Sequence, residues 1–212
     1  GSLATRVNES GLIEPVGTLG ADVVLNGDFE ETGADQILNG DFSQEGSEQA
    51  DDSAILNSGG AVMTKVSALN YNATSNSTGS STVRPKLSFN SVTQGSSYRL
   101  KITPTNQSGT INFKLYDGTQ YVVEGNDLTT DLDLYFKAEG VGVFIAFDGN
   151  VVFNVDFTIS LVEVGQNWVL TDGWTIGVGS ANYDDSVDAS NSAISGLASL
   201  QLGKQYVFTF DI

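Results

Sequence analysis

The sequence predicts an all-β protein of antiparallel sheets packed face to face as a sandwich. Three observations carry that reading. From residue 60 onward apolar residues recur at every second position, which places one apolar and one polar face on each strand. The apolar runs are separated by clusters of Gly, Asn, Asp and Ser, as in "NQSGT", "YDGTQ", "EGND" and "FDGN". No segment repeats its apolar residues at the helical period of 3.6.

Residues 1–22 read as a connecting segment. Residues 23–49 hold two thirteen-residue units, "VLNGDFEETGADQ" (24–36) and "ILNGDFSQEGSEQ" (37–49), whose Asn-Gly steps favour tight reversals between short strands. Each unit is too short for a core of its own, so Leu25 and Phe29, then Leu38 and Phe42, have to pack on something else. Residues 50–164 read as one sandwich. Within it, "NYNATSNSTGSST" (70–82) is polar and of low complexity and is expected to be a long loop. The inward sets are Tyr98, Leu100 and Ile102; Ile111, Phe113 and Leu115; Leu132, Leu134 and Phe136; Val143, Ile145 and Phe147; and Val155, Phe157, Ile159 and Leu161.

Residues 165–212 read as the first part of a second, incomplete copy. "QGSSYRLKI" (94–102) aligns with "LGKQYVFTF" (202–210), matching Gly95 to Gly203, Tyr98 to Tyr206, Leu100 to Phe208 and Ile102 to Phe210; "NYN" (70–72) aligns with "NYD" (182–184). Half a sandwich exposes its inner face and its strand edges, so the second copy is expected to need further strands from a longer polypeptide.

Composition removes several function classes. The chain has 212 residues, with 9 Lys+Arg against 26 Asp+Glu and a formal net charge of -17. Such a surface repels phosphate backbones and anionic lipid, which argues against nucleic-acid binding. With no Cys and no His there are no disulfides, no thiolate nucleophile, no ordinary zinc site and no His-dependent triad. No apolar run is long enough for a membrane-spanning helix, so membrane insertion is not expected. "GVGSAN" (177–182) is a poor match to a nucleotide loop and lacks a following helix. Asp184, Asp185 and Asp188 read as a solvated acidic loop. Nothing fixes a carboxylate pair of the kind glycosidases use, so the expected protein is not an enzyme.

"NGDF" followed by this strand pattern resembles the carbohydrate-binding-module-like jelly-roll sandwiches common in phage tail and fibre proteins. "VGQNWVLTDGWTIGVGSANYD" (164–184) is similar to the opening of such a domain, "LQLGKQYVFTFDI" (200–212) to its next signature, and "FTISLVEV" (157–164) to the closing strand of a preceding copy. "ATRVNESGLIEPV" (4–16) resembles a segment found between modules of bacteriophage virion proteins. The first sandwich departs from the second in lacking tryptophan, since the chain's two are Trp168 and Trp174. The resemblance implies a noncatalytic, extracellular virion component (a fibre, tail or capsid-decorating appendage) with other virion proteins as partners and a host-surface glycan as ligand. Two other readings stand beside it. One is a carbohydrate-binding module of a secreted bacterial enzyme or surface adhesin, the other a structural spacer without a ligand. Because residues 1–49 lack a core, they are expected to contact another chain, in a homotrimer.

Two candidate sites follow. Trp168, Trp174 and Tyr183 offer flat apolar surface that complements a pyranose ring; the competing reading puts Trp174 in the core, since Ile176 shares its face. Asn39, Asp41 and Asp156 are candidate ligands for a structural Ca²⁺, as the resemblance implies for jelly rolls whose first and last strands share one, and hard oxygens are what calcium takes. The competing reading makes them turn-formers.

Overall fold

Period-two alternation builds strands throughout the computed structural model, which describes residues 5–15, 34–58, 60–76, 85–148, 152–186, 192–196, 198, 200–202 and 204–209. Among these no helix occurs. The chain divides into two compact units, Gly1–Gln36 and Ile37–Ile212.

In the first unit, β1 (Thr5–Val7) pairs antiparallel with β2 (Ile13–Pro15). Asn8 makes the reversal. Its side-chain oxygen accepts from the backbone N–H of Ser10 and of Leu12, both at 3.0 Å, and Gly11 supplies the positive φ. Val7, Leu12 and Ile13 are exposed. The first NGDF unit lies outside the described residues except for residues 34–36.

In the second unit a five-stranded sheet runs β10 (Tyr121–Asp127), β9 (Asn112–Tyr116), β12 (Phe144–Phe147), β7 (Lys86–Phe89), β4 (Ser53–Leu56). The facing sheet runs β11 (Leu132–Lys137), β8 (Ser97–Ser108), β13 (Phe153–Val164), β6 (Asn70–Ser75), β5 (Ala61–Ser67), and β3 (Glu45–Glu48) adds to β13 beyond the end of β6. All these pairings are antiparallel, and the sheets form a jelly-roll sandwich. The twelve-residue β13 is the spine of its sheet, with β8 along one edge and β6, then β3, along the other. Four short strands follow. β14 (Trp168–Leu170) pairs with β17 (Ile194–Gly196), and β15 (Trp174–Ile176) pairs with β16 (Ala181–Tyr183).

The core lies between the two large sheets, and the alternating residues fill it. Phe113, Leu115, Ile145, Phe147, Leu87 and Phe89 face inward from one sheet; Leu100, Ile102, Val155, Phe157, Ile159 and Leu161 face them from the other. Leu132 and Leu134 are half-buried against this cluster.

The expectation of a loop over 70–82 is corrected for its first part. Asn70–Ser75 is a strand, in which Tyr71, Ala73 and Ser75 are buried while Asn70, Asn72 and Thr74 face out. The outward Asn72 is satisfied across the sheet, donating to the side chains of Asn154 at 3.0 Å and Asp156 at 2.7 Å. A strand can therefore be polar at every second position without losing its inner face. Residues 77–84 lie outside the described residues.

Candidate functional site

On β9, β12 and β7 the residues that point away from the core are Asn112, Lys114 and Tyr116; Phe144 and Ala146; and Lys86 and Ser88. Cross-strand register sets them in rows. One row reads Tyr121, Tyr116, Phe144, Ser88, Ala54, and the next reads Glu124, Lys114, Ala146, Lys86, Leu56. Directly opposed residues on neighbouring strands touch, so three aromatic rings from three strands become contiguous. Tyr116 stacks on Phe144 with centroids 4.8 Å apart and planes at 20°; Tyr121 meets Tyr116 edge-on at 5.4 Å and Phe144 at 6.2 Å. Tyr116 and Phe144 are half-buried, and Tyr121 is exposed.

The turn between β9 and β10 positions two of these rings. The Asp117 side chain, almost wholly buried, accepts through Oδ1 from the backbone N–H of Thr119 (2.7 Å), the Thr119 hydroxyl (2.9 Å) and the backbone N–H of Gln120 (2.8 Å). The Asp117 carbonyl accepts from the N–H groups of Glu139 and Gly140, tying the turn to the next loop. Gly118 makes the approach close enough. It sits at φ 103°, and a Cβ there would meet the Gly140 backbone at 2.3 Å.

Charge surrounds the rings. The Lys114 ammonium is nearly buried, bonded to Glu124 at 2.6 Å, 3.4 Å from Asp148 and 5.6 Å from the Tyr121 ring centroid. Lys86 holds its ammonium 4.4 Å from the centre of the Phe144 ring. The face therefore combines flat apolar surface with hydroxyl, ammonium and carboxylate groups, a mixture that complements the C–H face and hydroxyls of a polyhydroxylated ring.

The residues singled out from the sequence lie elsewhere. Trp174 and Tyr183 are opposed on the β15–β16 hairpin, their rings 5.1 Å apart. Trp174 is half-buried, and its indole N–H is buried without a hydrogen-bond partner among the described residues; Ile176, on the same face, is buried. Trp168 is engaged differently. Its ring packs on Phe42 at 5.0 Å and lies against Gly196, and its indole N–H donates to the Asn39 carbonyl at 2.8 Å. Phe42 of the second NGDF unit thus packs within this chain, whereas Leu38 is exposed. Ile37 bridges to Ala198, Phe42 and Asn39 hold Trp168, and the unit's tail becomes β3.

The structure does not bring Asn39, Asp41 and Asp156 together. Asn39, in the left-handed region at φ 53°, accepts from Gln44 N–H and donates to the Gln166 carbonyl. Asp41 closes an Asx turn on Ser43, whose backbone N–H and then hydroxyl hold its carboxyl below the usual carboxylate range. Asp156 sits mid-strand, and hydrogen bonds from Asn72 first and Asn106 second lower it likewise. Asp156 lies eight strand positions before Val164, where β13 ends two residues short of Gln166, or about 26 Å at 3.3 Å per residue. One cation cannot bridge that distance with ligands at roughly 2.3–2.6 Å. Among the described residues no three His, Cys, Asp or Glu side chains gather to hold a metal ion.

Alternation in the sequence marks the inward residues, whereas the aromatic row lies on the outward face. With Phe113 and Leu115 inward, Tyr116 falls outward; with Ile145 and Phe147 inward, so does Phe144. An aromatic residue on the polar face of each strand was the available signal, and only register made the two neighbours.

No protein-family model and no curated protein matches the chain. Among solved structures it is similar to a CBM4 chain, at 17% identity over 60% of this chain and 99% of that one with a TM-score of 0.34. It is also similar to a family 29 carbohydrate-binding module from Piromyces equi, at 14% identity over 52% of this chain and 80% of that one, TM-score 0.31. The enzymatically active domain of bacteriophage CBA120 tailspike protein 4 aligns at 9% identity over 61% of this chain and 20% of that one, TM-score 0.21.

Proposed function

We propose that this chain is a noncatalytic, modular glycan-binding protein that takes a saccharide on the outward face of its five-stranded sheet. The observation that carries the reading is the contiguous row Tyr121, Tyr116 and Phe144, held open on a rigid sheet and flanked by Lys86 and Ser88. Aromatic faces pack against the C–H faces of a sugar ring while the flanking groups bond its hydroxyls. Beside the Tyr121 ring the Lys114 ammonium engages the carboxylates of both Glu124 and Asp148, which suits a binding surface better than a pair of acid and base catalysts.

The setting we propose is an extracellular one, on a bacteriophage particle, in a homotrimer with other virion proteins around it and a host glycan as ligand. Its support is the sequence resemblance of residues 4–16, 37–49, 164–184 and 200–212, together with the exposed apolar residues of the β1–β2 hairpin. A module of a secreted bacterial enzyme or adhesin would use the same face.

A glycan array probed with the wild-type chain and with Phe144→Ala tests the function. The expected result is a defined set of bound glycans, with affinity reduced at least tenfold, about 1.4 kcal/mol, in the variant. Absence of any bound glycan, or equal binding by Phe144→Ala, would overturn the assignment.

A further inference from the structure

Lys114 is buried, and two carboxylates share it. It leaves β9 on the outward face, where cross-strand register gives it a different neighbour on either side. Glu124 of β10 stands directly opposite, its carboxylate 2.6 Å from the ammonium. On the other side Ala146 of β12 is opposite, and Asp148, two residues further along, falls on the same face. Asp148 carries the ladder past the end of β12, since its backbone N–H donates to the Asn112 carbonyl at 2.9 Å. Its side chain then lies diagonally across from Lys114, with Oδ2 3.4 Å from Nζ.

Little water reaches this place. The Lys114 and Asp148 side chains are 7% and 12% exposed, and Ala146 between them is wholly buried. A buried ion pair loses the hydration of two charges, which their attraction only partly returns. An amide made from the same two groups carries no charge. Groups held on adjacent strands also react as if at very high concentration, because the ladder has already fixed their relative placement. Glu124 differs from the other two. Its side chain is 58% exposed, so it can exchange protons with solvent while bonded to the nitrogen that must lose them.

We infer that Lys114 Nζ and Asp148 Cγ join in an isopeptide bond, with Glu124 as the general acid–base group. Glu124 takes one proton from the ammonium and leaves a lone pair on Nζ. That pair forms the N–C bond at Cγ, and the bond from Cγ to one carboxyl oxygen breaks. The oxygen departs as water with two of the three ammonium protons, one passed on by Glu124 and one released by nitrogen as the bond forms. Nitrogen keeps the third. The charges of ammonium and carboxylate cancel, Glu124 ends as it began, and no oxidant or reductant is consumed. The bond ties β9 to the end of β12, the two strands that carry Tyr116 and Phe144. It is independent of whether that face takes a saccharide.

Mass spectrometry of the full chain, purified folded and then denatured, reads the bond. The wild type is expected to be one water lighter than its sequence mass, and digestion to release a branched peptide in which Lys114 and Asp148 are joined. Lys114→Arg is expected to carry its full sequence mass. Glu124→Gln, checked by its melting curve to be folded, is expected to hold at least tenfold less bonded chain than the wild type after the same incubation. A wild-type chain at full sequence mass, as a plain ion pair leaves it, would overturn the inference. So would a water loss retained in Lys114→Arg, which a succinimide at the Asp148–Gly149 step would give, or equal bonding in folded Glu124→Gln.

Discussion

Asp117 gathers three hydrogen bonds on one oxygen and thereby fixes the turn from which Tyr116 and Tyr121 project. Asp117→Ala removes the one acceptor shared by all three bonds from a buried site and is expected to cost about 2–4 kcal/mol. That corresponds to a melting temperature lower by roughly 5–15 °C for a unit of this size, with glycan affinity falling in parallel as the rings lose their register; calorimetry and titration measure the two. Arg99 tests electrostatics. Its guanidinium makes a bidentate contact with Asp133 (2.8 and 2.6 Å) and reaches Glu45 at 2.8 Å, which raises the arginine and holds the Asp133 carboxyl below the usual carboxylate range. The folded chain therefore binds the Asp133 proton less readily than the unfolded chain does. The pair's contribution is complete above the unfolded value of about 3.9 and is lost as pH falls through the lower folded value. Both partners are partly exposed, so Asp133→Asn is expected to cost less than about 1 kcal/mol at pH 7. Its melting curve should converge on that of the wild type as pH falls below the folded value of Asp133.

At the scale of elements, legibility followed how much of a strand's pattern lies in its own residues. β13 was readable because Val155, Phe157, Ile159 and Leu161 alternate without interruption, and all four are buried. β6 was not, because its inward residues are Tyr71, Ala73 and Ser75 and its outward Asn and Thr gave it the composition of a loop. Trp168 was ambiguous from sequence since its partners, Phe42 and the Asn39 carbonyl, lie more than a hundred residues away. The same contact explains what one NGDF unit packs against. Trp168→Phe keeps a ring for Phe42 but leaves the Asn39 carbonyl with only the Phe42 N–H as donor in place of two. It is expected to destabilise the turn at residues 38–42 by about 1 kcal/mol, read as faster amide exchange at Phe42 and Gln44 with β8 unaffected.

For the whole molecule, the all-β class and the inward sets were legible because burial imposes period two on each strand separately. Strand order was not, because pairing is a relation between distant segments. The proposed binding face belongs to the second kind. Tryptophans are conspicuous in a sequence, whereas Tyr116, Tyr121 and Phe144 become a surface only when β10, β9 and β12 are neighbours. The central proposal is that this surface, and not the Trp174–Tyr183 hairpin, receives a saccharide. Backbone amide chemical-shift mapping during titration with an array-selected oligosaccharide tests it most directly. The account predicts shifts concentrated at Ser88, Tyr116, Tyr121 and Phe144, saturating together, with Trp174 and Tyr183 unmoved. Shifts centred on Trp174 and Tyr183, with the five-stranded sheet unchanged, would contradict it.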